Sequence, residues 1–272
     1  TLIFDPITSV YSTLAEERKL LSPDSLKAKL FFLYEKLAYK LPDHLLAPTE
    51  EFKRHFSQLF SVTPDKISVL PVGGIMKKTK FKSSFKKKNE GFKVLYWGGF
   101  HPQHGVESII HAAKILEKYN SKISFNLIGK GHCWQESVNL SKKLGIRNIT
   151  FTGYLPDENL RDEIILSDIV LGFLGTSKRA NRSIGNKVFE ALAYGKPVIT
   201  EKSHAIRRFF THEKELYMVT PGDPEELAKA IIELYENPDL RDKIALCGYE
   251  RLKKDFSEGQ IAEKLLKIIG TR

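Results

Sequence analysis

One helix–turn–strand segment, Arg182–Thr200, constrains the fold more than any other part of the sequence. Apolar residues recur at helical spacing from Gly185 to Tyr194, which predicts a short helix with one buried face. Gly195 supplies the positive φ that often ends a helix, and the apolar run beginning at Val198 predicts a buried strand. A helix that passes through a glycine into a buried strand is the repeating unit of a parallel α/β sheet.

The polar side of this helix carries two residues with binding chemistry, Lys187 and Glu190, which are three positions apart and so share a helix face. The free amides of a helix start led by Gly185 can bind a phosphate, and Lys187 adds a cation there. Glu190, one turn on, can accept hydrogen bonds from sugar hydroxyls. The alternative is a solvated ion pair, and the spacing by itself favours that alternative because the pattern is short.

The sequence FEALAYGKPVIT, residues 189–200, resembles the strongest signature of the retaining, nucleotide-sugar-dependent glycosyltransferases of the GT-B fold, in the large family-4 group. The resemblance implies that Glu190 binds the ribose of the donor nucleotide. The family usually has a second glutamate eight positions earlier, in contact with the donor sugar, and this sequence has Arg182 there. The resemblance therefore supports the fold and leaves the donor sugar open, with Arg182 as a candidate ligand of the diphosphate or the sugar.

A second glycine turn follows the predicted strand Phe92–Trp97. Gly98 and Gly99 form the turn, and a helix with a regular apolar face opens between Pro102 and Gly105. A strand, a glycine turn and a helix form a phosphate-facing unit in many nucleotide-binding folds. The loop matches neither the dinucleotide fingerprint nor the P-loop.

The corresponding loop of the family holds the donor diphosphate with an arginine and a lysine. Three positions match that loop: Gly98, Pro102 and Gly105. Gly99 stands at the position of the arginine and His104 at that of the lysine, although one branch of the family carries very similar loops. The resemblance then implies that the phosphate charge is met by the Gly98 and Gly99 amides, by Lys187, or by Lys130. His104 can donate one hydrogen bond, and a purely structural role is an equal alternative for it.

Further turns lie at the ends of the predicted strands. Gly129–Gly131 resembles the glycine turn that follows the second strand in the family. Gly153–Pro156 resembles the element that frames the nucleotide base, which implies a base contact for Tyr154, although an aromatic residue after a strand is as often part of the packing. The loop Gly175–Asn181 includes Arg179, which either faces the donor or is a solvated cation.

Predicted strands and helices also alternate in the first 74 residues. One predicted helix carries a stripe of apolar side chains with lysines around it: Leu26, Leu30, Leu33, Tyr34 and Leu37. This pattern predicts a helix that packs on a sheet, and the alternative is a basic amphipathic helix that lies on a membrane. The segments Ala47–Glu50 and Ile67–Gly73 resemble the final third of the family's acceptor domain.

The net charge of +10 comes mostly from one stretch of seven lysines that contains no acidic residue. These are Lys77, Lys78, Lys80, Lys82, Lys86, Lys87 and Lys88. Such a run predicts a solvated linker, with contact to anionic lipid headgroups as the functional alternative. Nucleic acid is not an expected partner, because no known nucleic-acid module accompanies the charge.

Other features of the composition bear on location. Cys133 and Cys247 lie far apart without metal-ligand spacing, which predicts reduced thiols in a cytoplasmic protein, peripheral at most to the inner face of a membrane. No apolar run approaches the roughly 20 residues that span a bilayer. A first residue other than methionine, Thr1, suggests a processed or truncated chain.

The sequence thus predicts an α/β protein: a Rossmann-like parallel sheet with helices on both faces, preceded by a partial N-terminal α/β domain. The predicted divisions are residues 1–74 (the acceptor-domain remnant), 75–91 (a lysine-rich linker), 92–252 (the nucleotide-sugar-binding domain) and 253–272 (a terminal helix that crosses back to the N-terminal part).

The resemblance implies transfer of a sugar, with retention, from a nucleoside-diphosphate sugar to a hydroxyl of a glycan or lipid-linked acceptor, without a metal or cofactor. The donor-binding candidates are Gly98, Gly99, His104, Lys130, Tyr154, Arg182, Gly185, Lys187 and Glu190. The sequence identifies no catalytic residue. The alternatives are a nucleotide-sugar epimerase, which would need acid/base carboxylates and histidines in the cleft, and a non-enzymatic nucleotide-sugar-binding module.

Overall fold

The computed structural model describes residues 2–76 and 91–270. Within these residues the strands form a three-stranded and a six-stranded sheet, and all neighbouring strands are parallel. This arrangement confirms the predicted α/β class with parallel sheets flanked by helices. The predicted linker lies largely outside the described residues, as do all seven clustered lysines.

The smaller sheet is built from the N-terminal residues. Its elements are β1 (Ile3–Phe4), α1 (Leu26–Lys40), β2 (His44–Ala47), α2 (Glu50–Phe60) and β3 (Ile67–Val69), with strand order β1-β2-β3. Tyr39, Phe56 and Phe60 pack under the helices in a fully buried aromatic cluster. The hydroxyl of Thr49 accepts a hydrogen bond from the Phe52 amide and so caps α2.

The predicted packing of α1 is wrong in one respect: its leucine stripe faces outward. The helix buries Ala28, Glu35 and Tyr39. The Glu35 carboxylate points inward because three donors of the preceding loop bind it: the Ser9 hydroxyl and the Val10 and Tyr11 amides, at 2.6–2.8 Å. Hydrogen bonding of this kind makes the buried carboxylate tolerable.

The larger sheet has the strand order β6-β5-β4-β7-β8-β9. Its strands are β4 (Phe92–Trp97), β5 (Ile123–Ile128), β6 (Ile149–Gly153), β7 (Ile169–Leu171), β8 (Val198–Glu201) and β9 (Tyr217–Val219). Its helices are α3 (Val106–Tyr119), α4 (Trp134–Lys143), α5 (Asp157–Leu166), α6 (Lys178–Arg182), α7 (Asn186–Ala193), α8 (His204–Phe209), α9 (Pro224–Glu236), α10 (Pro238–Asp255) and α11 (Glu258–Gly270).

A hydrophobic core lies on each face of this sheet, because successive residues of a strand point to opposite faces. Val94 and Tyr96 of β4 pack with α3 and α9 on one face. Leu95 and Trp97 pack with α7, α8 and α10 on the other. The sheet is therefore covered on both sides, as its continuous apolar strands require.

The segment that precedes the large sheet contacts the end of the chain. The Gly74 amide donates a hydrogen bond to the Phe256 carbonyl at 2.9 Å, and the Met76 amide donates to the Glu258 carboxylate at 2.8 Å. These contacts join the start of α11 to residues 74–76. A longer crossing of α11 over the N-terminal part stays a prediction. Across the described part of the chain, every helix is too short or too polar to span a membrane.

Candidate functional site

A cleft of about 440 Å³ separates the two sheets at the carboxyl ends of β4 and β7. The N-terminal part lines it with Ile7, Arg18, Pro48 and Phe52. The large sheet contributes residues of the glycine turn, of α6 and of the segment that opens α7. Ligands of open parallel sheets bind at this edge, where loops diverge from the strand ends.

The glycine turn after β4 brings His104 into the cleft as a neutral donor. The Tyr96 hydroxyl is 2.5 Å from His104 Nδ1, and the Phe100 amide donates to the same hydroxyl. The Tyr96 hydroxyl can donate its own proton to Nδ1 while its oxygen accepts from Phe100, and in that arrangement the imidazole proton lies on Nε2. Burial and the nearby Lys187 hold the pKa of His104 far below its ordinary value. A neutral His104 carries one N–H group, and a contact of that group with the donor phosphate stays a prediction.

The helical spacing predicted a solvated face that Lys187 and Glu190 share. Lys187 is instead buried beneath the glycine turn. Its residue is 6% exposed, and its ammonium lies 3.9 Å from the centroid of the Tyr96 ring. The Nζ atom has no hydrogen-bond partner in the described part of the chain. A Cβ placed on Gly98 would lie 3.0 Å from Lys187 Nζ and 3.0 Å from His104 Cε1, so both groups converge on Gly98.

Burial lowers the pKa of Lys187 well below its ordinary value, although the buried Glu201 carboxylate acts in the opposite direction. Among the described residues, no carboxylate lies within hydrogen-bonding distance of the Lys187 amine. An anion that entered the cleft would supply a counter-charge and would restore the charged form.

The helix α7 starts at the cleft without a side-chain cap. Gly185 is its N-cap residue, with φ −65° and ψ 135°, and it offers no side chain to cap the first turn. Free amides at a helix start are an anion-binding element. A Cβ on Gly185 would lie 2.9 Å from the Phe173 ring, so glycine lets the helix start close to the ring that stacks on His104.

Two arginines also line the cleft. An Nη atom of Arg18 lies 3.2 Å from His101 Nε2, and the Nδ1 atom of His101 is buried without a partner among the described residues. Arg179 lies 3.2 Å from the Glu17 carboxylate and 3.0 Å from the Thr13 hydroxyl. No motif predicts Arg18 or His101 as cleft residues. The fold alone brings the N-terminal arginine to the glycine turn.

The cleft brings together five of the nine donor-binding candidates: Gly98, His104, Gly185, Lys187 and Glu190. One assigned role is wrong, because the Gly98 amide donates to the Ile128 carbonyl at 2.9 Å within the sheet and cannot also bind a phosphate. Gly99 lies beside this lining, and the His101 ring covers it: an added Cβ would be 2.8 Å from His101 Nε2.

The remaining three candidates lie outside the lining. Arg182 turns toward the N-terminal part, 2.9 Å from His55 Nδ1 and 3.9 Å from the Glu17 carboxylate. Lys130 lies against Gly153, next to Tyr154, whose residue is 78% exposed. Lys130 and Tyr154 therefore form a separate polar surface at the ends of β5 and β6.

These features define the class of the protein: two α/β parts enclose a cationic cleft at the carboxyl edge of a parallel sheet. The chain belongs to the glycosyl transferases group 1 family, whose sequence profile matches residues 77–251.

Curated relatives agree with this assignment. The chain is 29% identical over 185 residues to the lipopolysaccharide core biosynthesis glycosyltransferase LpsD of Rhizobium meliloti, which covers 66% of this chain and 49% of that protein. It is 22% identical over 178 residues to the O-antigen chain mannosyltransferase C of Escherichia coli, covering 65% and 46%. The chain spans about half the length of such relatives.

Solved structures share the fold. The crystal structure of Anabaena HepE in complex with UDP and glucose superposes with a TM-score of 0.76 at 17% identity, over 99% of this chain and 71% of that one. S. aureus TarM, in a complex that contains UDP, gives a TM-score of 0.71 at 16% identity, over 89% and 46%. At this level of identity the likeness establishes the fold alone.

Proposed function

We propose that the protein transfers a sugar from a nucleoside-diphosphate sugar to a hydroxyl of a glycan or lipid-linked acceptor, with retention of configuration. The family, the lipopolysaccharide and O-antigen glycosyltransferases among its relatives, and the UDP in the HepE and TarM crystals support this reaction class. The observation that carries the proposal is the unpartnered ammonium of Lys187 beside the start of α7.

In this proposal the donor diphosphate lies over Gly98. The Lys187 ammonium, the Nε2–H group of His104 and the first amides of α7 surround that point. Negative charge grows on the diphosphate as the glycosidic bond breaks, and preorganised donors lower the barrier by stabilising that charge. The chemistry is then electrostatic and needs no protein nucleophile.

Further donor ligands are proposed from the cleft lining and, for Lys130 and Tyr154, from the resemblance to the family alone. Glu190 lines the cleft one helical turn beyond Lys187, where its carboxylate accepts hydrogen bonds from the ribose hydroxyls. Arg18 and Arg179 supply the positive charge that the glycine turn lacks. The exposed ring of Tyr154 packs on the base, next to Lys130. Arg182 is left out of the donor site, because His55 and Glu17 contact its guanidinium.

Calorimetry with UDP, GDP and ADP tests the site. We expect Glu190→Ala to weaken the binding of all nucleotides that carry ribose. We expect Lys187→Met to weaken the binding of nucleoside diphosphates more than that of nucleosides. Lys202→Ala is the matched control, since Lys202 is exposed and lies outside the cleft. Unchanged affinities in both cleft variants would show that the donor binds elsewhere.

The reaction is tested on the full-length protein with a panel of nucleoside-diphosphate sugars and acceptors. Transfer with the donor's anomeric configuration in the product supports the proposal. Binding without turnover would instead indicate a nucleotide-sugar-binding module, and a donor altered at a ring carbon would indicate an epimerase.

A further inference from the structure

The outward face of α1 carries an unusual concentration of exposed apolar side chains. We call it the outer stripe; it consists of Leu26, Leu30, Leu33, Tyr34, Leu37 and the following residue Leu41. Their exposed fractions range from 53% for Leu37 to 75% for Leu41. Single exposed leucines are common in proteins, whereas a continuous row of this kind marks an interaction surface.

The direction of the outer stripe follows from helix geometry. At 3.6 residues per turn its members span an arc of about 100°, on the side of the helix opposite Ala28, Glu35 and Tyr39. Those three residues pack toward the small sheet. A further strand beside β1 would bring its connecting helix next to α1, at its flank, and would leave the outer stripe uncovered.

Basic side chains border the outer stripe. Lys29, Lys36 and Lys40 follow one edge, and Lys27 lies at the other. The acidic residue of the helix, Glu35, is buried and bound by the loop that precedes α1. One edge of the outer stripe is therefore positively charged along the helix, and the other edge is positively charged at the start of the helix.

We propose that the outer stripe lies on the surface of a bilayer that contains anionic lipids. Its leucines enter the boundary between headgroups and acyl chains, and the lysines contact the headgroup phosphates. An α1 of 15 residues is too short to span the bilayer, so it lies along the surface. Face-to-face pairing of two copies is less favourable, because it would bring two sets of lysines together. This inference is independent of the proposed donor site.

Co-sedimentation with vesicles tests this surface. We expect the wild-type protein to attach to vesicles of phosphatidylcholine mixed with phosphatidylglycerol, and much less to phosphatidylcholine alone. Leu30→Asn with Leu37→Asn should weaken attachment at least tenfold. Lys29→Gln with Lys40→Gln should weaken it about 25-fold and reduce its dependence on salt, since each basic residue near such a surface contributes about fivefold.

The matched control is Leu266→Asn with Ile269→Asn on α11, where both residues are also exposed. This variant should bind vesicles like the wild type. All variants should keep the wild-type melting temperature, because the changed side chains are on the surface.

Several outcomes would overturn the proposal. Attachment of the leucine and lysine variants as strong as that of the wild type would do so. So would loss of attachment only when the lysines of residues 77–88 are neutralised. A wild-type dimer that the leucine variant dissociates would assign the outer stripe to a second copy. Protection of a Leu37→Cys thiol from a soluble maleimide without vesicles would show that protein already covers it.

Discussion

At the scale of residues, Lys187 illustrates a conflict between stability and binding. Its ammonium is buried against the Tyr96 ring without a hydrogen-bond acceptor in the described part of the chain. An unsatisfied buried polar group typically costs about 1–3 kcal/mol. Such a group persists where it serves a ligand, and strained functional sites are a common place for stabilising substitutions.

We therefore expect Lys187→Met to raise the free energy of unfolding by about 1–3 kcal/mol at neutral pH while it weakens UDP binding. Burial lowers the pKa of Lys187 in the folded state, so the unfolded state binds more protons and wild-type stability rises with pH between the lowered and the ordinary pKa. The advantage of the methionine variant should thus shrink toward pH 10. Denaturant titrations at several pH values measure this difference in the free energy of unfolding between the variant and the wild type. A difference that grows with pH would contradict a lowered pKa of Lys187.

His104 gives a second prediction about single groups. A glutamine amide can take the place of the Nε2–H donor, whereas an asparagine amide reaches only to the position of Nδ1. We expect His104→Asn to weaken UDP binding about five- to tenfold more than His104→Gln, the loss of one charge-assisted hydrogen bond. Calorimetry compares the two variants, with Lys202→Ala as the control. Equal losses would mean that His104 has only a structural role.

At the scale of elements, the glycine turns after β4 and β5 lie against each other beside the cleft, which Gly98 of the first turn lines. A Cβ on Gly131 would lie only 1.5 Å from the Gly99 carbonyl oxygen. The two turns therefore approach each other through their backbones. The sequence predicted both turns from their glycines but did not show that one packs on the other.

Gly131→Ala should displace the Gly99 turn. We expect a loss of stability of about 1–3 kcal/mol from overpacking, together with weaker UDP binding. Gly259→Ala on α11 is the control, because nothing lies within 4 Å of its added Cβ. Thermal melts and calorimetry measure both effects; a Gly131→Ala protein with unchanged binding would separate this turn from the site.

Sequence patterns located most of the helices and strands but did not show how each of them packs. Apolar runs predicted the strands of the large sheet, and the motif around Glu190 predicted α7 and β8 to within a few residues. Periodicity also located α1, but the wrong face was assigned to the core. Periodicity shows that a helix has an apolar face and does not show what covers it. The inward direction of Glu35 depends on three donors of the Ser9–Tyr11 segment, which no helical pattern contains.

Only those residues of the candidate site that lie close together in the sequence could be predicted from it. Gly185, Lys187 and Glu190 lie in one short motif. Arg18 and His101 meet across 83 positions of the chain, so their proximity depends on how the two sheets pack.

At the scale of the whole molecule, most of the net charge comes from a stretch of seven lysines that lies outside the described residues. We expect replacement of the seven lysines of residues 77–88 by glutamine to leave UDP affinity within about twofold at physiological salt, because screening limits the reach of exposed charges to roughly 8 Å. Attachment to anionic vesicles should weaken. Calorimetry at two salt concentrations measures the first effect, and a large change in affinity would place this stretch in the donor site.

The contacts of Arg182 restrict which side chains position 182 can accept. Its carbonyl accepts from the Thr49 hydroxyl at 2.6 Å, and its guanidinium contacts His55 and Glu17. The family signature has a glutamate at this position. In this protein a glutamate there would place a second carboxylate next to Glu17 and would remove the hydrogen-bond donor of His55. A glutamate at position 182 therefore requires compensating substitutions in the N-terminal part, at Glu17 and His55.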